Sequence, residues 1–209
     1  MFSDKQPMRI EFGFFQPNED SRHPSTADHP SVAEIEKFLH QFHLLYSLVW
    51  AVDWYARESG DGQFSEKMQD FAESEDFAGV WDLTEQKFRE GCERGILSKG
   101  SPHVMTPILI KSITHKSPTI LEVIANARLV IGAIGLVIEG CRRGNHSNRG
   151  GYVVNAHASV RVQGDGVDFQ CESRFGYRSR PNHHRRHSLE VFSNCIKQLL
   201  RRFREFGKG

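Results

Sequence analysis

The chain has few cysteines, and they lie far apart. Its four cysteines are separated by 49, 30 and 24 residues, so no C-x-x-C pair occurs. This spacing excludes a zinc knuckle and a thioredoxin-like redox motif. Residues 1–15 also lack a secretory signal, because charged side chains interrupt every apolar run there. We therefore expect a cytoplasmic protein whose thiols are reduced. The cysteines are Cys92, Cys141, Cys171 and Cys195.

The chain also lacks an apolar run of the length that a membrane-spanning helix needs, which is about 20 residues. The run LVIGAIGLVI at 129–138 is bounded by Arg128 on one side and by Glu139 on the other. We expect this run to form a core helix. An effector that inserts this helix into a membrane is kept as the weaker alternative.

The motifs of common enzyme classes are missing as well. The sequence contains no G-x-S-x-G, Walker A, H-E-x-x-H or G-x-G-x-x-G pattern. We therefore predict no catalytic residue, no cofactor and no metal site, and a metal-dependent phosphodiesterase or nuclease remains the alternative. Such a site needs clustered carboxylates and a basic residue that steadies the phosphate. The closest approach is Asp165, Asp168, Glu172 and Arg174, whose spacing differs from the usual arrangement.

Charge is present in abundance but is unevenly divided. The 27 Lys/Arg and 26 Asp/Glu of the 209 residues nearly cancel. Residues 1–100, however, contain 10 Lys/Arg and 19 Asp/Glu, whereas residues 101–209 contain 17 and 7. Such a division indicates either a polyanionic partner for the second half or a head-to-tail contact between subunits.

Hydrophobic spacing in the first half predicts a strand followed by a long helix. Residues 8–15 alternate between apolar and polar side chains, as a half-buried strand does. A proline-rich loop at about 16–30 follows, and we expect it to be flexible. Ser31 and Glu34 then form a capping-box pattern at the start of a helix that extends to about residue 58. Its apolar side chains exceed one amphipathic face, so we predict a homo-oligomer that covers the excess.

The second half begins after an acidic helical insertion at about 59–100. Residues 108–113 indicate a short buried strand. Ser117 and Pro118 give a helix start signal, which predicts a helix over 118–141.

The last elements are a β-hairpin and a basic helix. Strands over 152–162 and 167–175 flank an Asp-Gly turn, and an amphipathic helix spans about 187–206. Together these elements predict a single α+β domain over 1–209. Its mixed or antiparallel sheet contains the hairpin and is covered by long helices.

Basic residues near the C-terminal end are the main candidates for function. Residues 142–209 contain 14 Lys/Arg and 5 Asp/Glu. Arginines interleaved with aromatic residues are typical of nucleic-acid binding, because guanidinium groups bind phosphates and rings stack on bases. The alternatives are a solvated face, a contact with an acidic subunit surface, or an anionic membrane. The predicted nucleic-acid-binding residues are Arg174, Tyr177, Arg178, Arg180, Arg185, Arg186, Lys197, Arg201, Arg202 and Arg204.

A second candidate is an anion site at the predicted helix start. Lys116 would supply a positive charge there, and the Ser117 hydroxyl would either cap the helix or bind the anion, with capping favoured. Three histidines at 183, 184 and 187 have a spacing that a metal could bridge on a helix. Arginines flank them, however, so we interpret them as titrating surface residues.

One segment resembles known proteins. Residues 111–140, KSITHKSPTILEVIANARLVIGAIGLVIEG, combine a strand that ends in Ser-Pro with a long apolar helix. This segment resembles small uncharacterised bacterial proteins, some of them accessory components of anti-phage defence systems. The resemblance implies a role in regulation or assembly and carries no catalytic residue. With the basic cluster, it predicts a non-enzymatic, oligomer-forming accessory protein of bacterial antiviral defence that binds nucleic acid or another polyanion.

Overall fold

The protein is described from a computed structural model. The structure describes residues 5–15, 31–97, 108–114, 119–147, 155–164, 167–176 and 188–206. The loop predicted at 16–30 lies outside these ranges. The strands are β1 (Lys5–Phe15), β2 (Leu109–Thr114), β3 (Thr119–Asn126), β4 (Asn155–Gly164) and β5 (Val167–Gly176). The helices are α1 (Val32–Glu58), α2 (Phe64–Glu73), α3 (Phe77–Glu93), α4 (Ala127–Ser147) and α5 (Ser188–Phe206).

The five strands form one antiparallel sheet in the order β2-β3-β1-β4-β5. At its centre, Ile10 of β1 lies opposite Leu121 of β3 and Val162 of β4. All three side chains are buried in the core that the helices share. Strands β4 and β5 pair as the predicted hairpin. The α+β prediction with an antiparallel sheet is thereby confirmed.

The strand predicted as buried at 108–113 is an edge strand instead. Among the described strands, β2 pairs only with β3, and the exposed fractions of Leu109 and Ile110 are 51% and 45%. An apolar run indicates that a segment favours burial. Whether other elements cover the segment depends on the position of its strand in the sheet. The sequence contained no signal that β2 would stand at the edge.

The N-terminal end of α1 is formed as predicted. The Glu34 N–H donates to the Ser31 hydroxyl at 3.3 Å, and the Ser31 N–H donates to the Glu34 carboxylate at 2.6 Å. Helices α2, α3, α4 and α5 all pack against α1. Much of its wide apolar surface is therefore covered within the chain. The homo-oligomer stays a prediction, but this surface no longer requires it.

The helix predicted over 118–141 is wrong at its start, because residues 119–126 form β3 and α4 begins at Ala127. Leu121, Val123 and Ala125 are buried while Glu122 between them is exposed, which is the two-residue period of a strand. This period matches β1, with which residues 119–126 pair along their whole length. Pairing with β1 therefore outweighs the local Ser-Pro signal.

Helix α4 lies at the centre of the helical layer. All side chains from 129 to 139 are buried, and the other four helices pack against α4. A Cβ atom at Gly132 would overlap the Met68 side chain of α2, so glycine permits this close approach. The region predicted as an acidic helical insertion thus contributes α2 and α3 to the common core. Among the described helices, none combines the length and apolar character that crossing a membrane requires.

Asp53 is a buried carboxyl group on α1. Its Oδ2 atom lies 3.0 Å from Nε of Arg57. Burial raises the pKa of Asp53 above its ordinary value, although the charge of Arg57 and hydrogen bonds from Arg57 and Ser65 oppose this shift. The charged carboxylate is therefore less favourable in the folded protein than in the unfolded chain.

We expect Asp53→Asn to raise the free energy of unfolding at pH 7, because an amide avoids the cost of burying a charge. Since the folded pKa of Asp53 is raised, the wild type loses stability relative to the variant as pH rises from the unfolded pKa through the folded one. Urea unfolding at several pH values measures this difference. The exposed Asp70→Asn is the control, with an expected change within about 0.5 kcal/mol. A variant that becomes less stable relative to wild type as pH rises would contradict the prediction.

Candidate nucleic-acid interface

Four of the ten predicted nucleic-acid-binding residues have described side chains, and all four are exposed on α5. They are Lys197, Arg201, Arg202 and Arg204. Arg174 lies in β5, where it is paired in register with His157 of β4. The remaining five lie outside the described residues and stay predictions. These are Tyr177, Arg178, Arg180, Arg185 and Arg186.

The predicted anion site has lost the helix start on which it depended. Lys116 and Ser117 lie outside the described residues, and the helix that was to begin after them begins at Ala127. The argument from the N–H groups of a helix end therefore no longer supports an anion site at residues 116–117. At the true start of α4, the Asn126 side chain accepts a hydrogen bond from the Leu129 N–H at 3.3 Å.

The amphipathic spacing of α5 separates its two sides as predicted. Lys197, Arg201 and Arg204 recur at intervals of four and three residues, which places them along one exposed line of the helix. Arg201 pairs with Glu205 at 3.2 Å. No described carboxylate pairs with Lys197 or Arg204. The opposite side of α5 is buried through Phe192, Ile196, Leu199, Leu200 and Phe203.

A disulfide between Cys141 and Cys195 joins α5 to α4, with a Cα–Cα distance of 5.2 Å. The expectation that these thiols are reduced is therefore wrong for this pair, whereas Cys92 is not part of a disulfide. The two cysteines are 54 residues apart in sequence, and only the packing of the two helices brings them together. Arg202 follows Cys195 by seven residues, so both lie on the side of α5 that faces α4.

Trp81 of α3 brings cationic side chains from α4 and α5 together. The guanidinium carbon of Arg143 lies 4.7 Å from the centroid of the Trp81 ring, and that of Arg202 lies 5.0 Å from it. Both distances are typical of cation–π contact. The indole N–H of Trp81 donates to Glu85 at 2.8 Å. One buried ring thus holds positive charges of two helices side by side.

Glu139 is a buried carboxylate that holds both arginines at this end of α4. Nε of Arg143 donates to Oε1 at 2.7 Å, and Nε of Arg142 lies 2.9 Å from Oε2. Arg143 also donates to Asp82 of α3 at 3.1 Å. Desolvation lowers the pKa of Arg143, but the hydrogen bonds and charges of Glu139 and Asp82 raise it above its ordinary value. Arg143 therefore stays charged although it is partly buried.

These contacts define a surface that we term the α4–α5 basic surface. Sequence reasoning missed the part of it on α4, because a pair of arginines after an apolar helix carries no signal of what lies beside it. Five of its six members are arginine, whose planar guanidinium matches the geometry of phosphate. The α4–α5 basic surface consists of Arg142, Arg143, Lys197, Arg201, Arg202 and Arg204.

Some acidic residues of the first half pair with basic residues of the second half within the same chain. Arg128 at the start of α4 donates to Glu66 of α2 at 2.8 Å, and Arg143 donates to Asp82 of α3. The acidic helices thus meet the basic second half along α4. The charged residues outside these pairs could instead form a head-to-tail contact between subunits, which stays the alternative prediction.

The residues considered for a metal site are only partly described. Asp168 and Glu172 lie in β5, paired in register with Gln163 and Ser159, whereas Asp165 and the histidines at 183, 184 and 187 lie outside the described residues. Among the side chains that the structure does describe, no three His, Cys, Asp or Glu residues are grouped so as to hold a metal ion. The phosphodiesterase alternative stays a prediction.

The chain matches no protein-family model, no curated protein and no solved structure. The resemblance of residues 111–140 to bacterial defence-associated proteins therefore stays a prediction. In the structure, β3 occupies the first part of the segment in which that resemblance placed a helix.

Proposed function

We propose that the protein binds nucleic acid through the α4–α5 basic surface and that it contacts the phosphate backbone. The observation that carries this proposal is the contact of Arg143 and Arg202 with one Trp81 ring. This contact places the arginines at the end of α4 beside Arg202 of α5, a helix whose exposed line carries three further cationic side chains. Cationic side chains from two packed helices suit a chain of phosphates better than they suit a single small anion.

The described residues favour backbone contact over recognition of bases. Trp81 is only 1% exposed, so its ring holds the arginines and is closed to a base. The aromatic residue proposed to stack on bases, Tyr177, lies outside the described residues. Guanidinium contacts to phosphate carry no sequence information, and we therefore expect affinity to depend little on nucleotide sequence. We also propose a preference for single strands, assembly into homo-oligomers and a role in bacterial defence.

Charge reversal on α5 tests the proposal. The variant combines Lys197→Glu, Arg201→Glu and Arg204→Glu, which lie on the exposed line and leave Arg202 on Trp81. For the wild type, the affinity for a labelled oligothymidine strand should fall as salt rises, by a log–log slope of about −0.7 per phosphate contact. The variant should lose three contacts, so its slope becomes shallower by about 2 and its affinity at about 50 mM salt falls at least tenfold.

A matched control shows whether the position of the reversed charges or the change in net charge causes the loss of affinity. Lys37→Glu, Lys67→Glu and Lys111→Glu change the net charge by the same amount at exposed positions of α1, α2 and β2. This control should bind nearly as the wild type does. Equal weakening of both triple variants, or no binding by the wild type at low salt, would refute the proposal. If light scattering shows instead that the α5 variant dissociates an oligomer, the surface is a subunit contact.

A further inference from the structure

The disulfide joins the two helices that carry the α4–α5 basic surface, on the side where Arg143 and Arg202 share the Trp81 ring. Arg142 and Arg143 directly follow Cys141 on α4, and Arg202 follows Cys195 by seven residues on the same side of α5. The bond is the one covalent link between these helices in the described part of the chain. Its state therefore bears on the distance between the two groups of cationic side chains.

The remaining contacts between α5 and its neighbours are mainly apolar. Leu199 packs beside Gly140 of α4, where an added Cβ would lie 3.4 Å from the Leu199 side chain. Phe203 lies against Trp81 and Phe88 of α3, with ring centroids 5.8 and 5.2 Å apart. Apolar contacts are non-directional, so they keep α5 attached but permit small shifts along α4. The disulfide adds a covalent restraint to this packing at one point along the two helices.

One of the two disulfide-bonded cysteines is the more exposed residue. Cys141 is 5% exposed, whereas Cys195 is only partly buried. A thiolate can attack Sγ of Cys195, so that the S–S bond breaks and Cys141 leaves as a thiolate that takes up a proton. A second thiol then attacks the mixed disulfide and releases Cys195 as a thiol. Overall, two small thiols are oxidised to their disulfide and the protein bond is reduced to two thiols.

We infer that the Cys141–Cys195 disulfide is a redox-sensitive switch of nucleic-acid affinity, which small thiols open and small disulfides close. In the oxidised protein, Arg143 is held beside Arg202 of α5, and both bind the same strand. Reduction lets the two helices shift, so that at least one phosphate contact is lost. This inference rests on the proposed function.

The test compares the oxidised wild type with protein reduced by dithiothreitol under anaerobic conditions. The probe is the same labelled oligothymidine strand, and a thiol assay confirms that two thiols appear. Reduction should weaken binding about fivefold at about 50 mM salt and make the salt slope shallower by about 0.7, which is one contact. Reoxidation with glutathione disulfide should restore the original affinity and slope.

Two variants control this experiment. Cys92→Ser removes the α3 cysteine that is outside the disulfide and should keep the full redox effect. The double variant Cys141→Ala with Cys195→Ala should bind as the reduced wild type does, with or without dithiothreitol. Circular dichroism of the reduced wild type shows whether the helices persist, so the inference does not depend on the double variant being folded.

The outcomes separate this inference from the proposed function. If oxidised and reduced proteins bind with equal affinity and slope, the switch is refuted and the proposed function stands. If reduction abolishes the helical signal, the bond is a structural staple and the switch is also refuted. If neither form binds the strand at low salt, the proposed function fails and the inference fails with it.

Discussion

Replacing Trp81 by alanine should lower the free energy of unfolding by about 4 kcal/mol, as the removal of a buried aromatic side chain does. Trp81 is 1% exposed and lies where α3, α4 and α5 meet, with Phe203 on one side and Gly140 on another. Alanine would leave a cavity among these helices. The loss would also deprive Arg143 of the ring against which its guanidinium lies.

Urea unfolding followed by circular dichroism measures this effect, and two further variants define its cause. Trp54→Ala removes a tryptophan that is 40% exposed on α1 and should cost about 1 kcal/mol or less. Trp81→Phe keeps an aromatic ring but loses the hydrogen bond to Glu85, so it should cost less than half as much as alanine. If Trp81→Ala costs no more than Trp54→Ala, then Trp81 does not hold the three helices together.

Loss of the disulfide should lower the free energy of unfolding by about 4 kcal/mol, by the chain-entropy argument for a cross-link of this span. The bond closes a segment of 54 residues, so it removes many conformations from the unfolded chain. In the double variant Cys141→Ala with Cys195→Ala, the unfolded chain regains them. We expect the protein to stay folded in water, because the buried core involves all five described helices.

Comparing the oxidised with the reduced wild type measures the same loss in the free energy of unfolding without any substitution. The urea dependence of unfolding should also become steeper after reduction, because an unfolded chain without a cross-link exposes more surface. Cys92→Ser should change the free energy of unfolding by about 1 kcal/mol or less. Equal midpoints for the oxidised and the reduced protein would show that the bond does not restrain the unfolded chain.

Elements with a local cause were predictable from the sequence alone. The capping box of Ser31 and Glu34 marks the start of α1, since its hydrogen bonds join residues three apart. The two-residue period of β1 and the Asp-Gly signal that predicts the pairing of β4 with β5 depend on neighbouring residues in the same way. The exposed cationic line of α5 follows from its spacing as soon as the segment is helical.

Segments with conflicting or incomplete local signals were decided by their neighbours in space. Residues 119–126 follow a helix start signal, but their alternating side chains pair with β1, and the strand prevails. Residues 109–110 are apolar enough for a buried strand, yet β2 occupies the edge of the sheet. The local sequence indicates which conformation a segment favours. It does not indicate which distant strand or helix the segment packs against.

By itself, the sequence determined which residues of α5 carry positive charge outward, because helical spacing alone sets the sides of that helix. Only the tertiary structure decided which residues of the other helices lie next to α5. Arg143 and Arg202 share the Trp81 ring, and Cys141 meets Cys195 across 54 residues. Contacts between residues so distant in sequence produce no repeating pattern from which they could be predicted. They exist because burial of the apolar sides of α3, α4 and α5 against one another brings these side chains together.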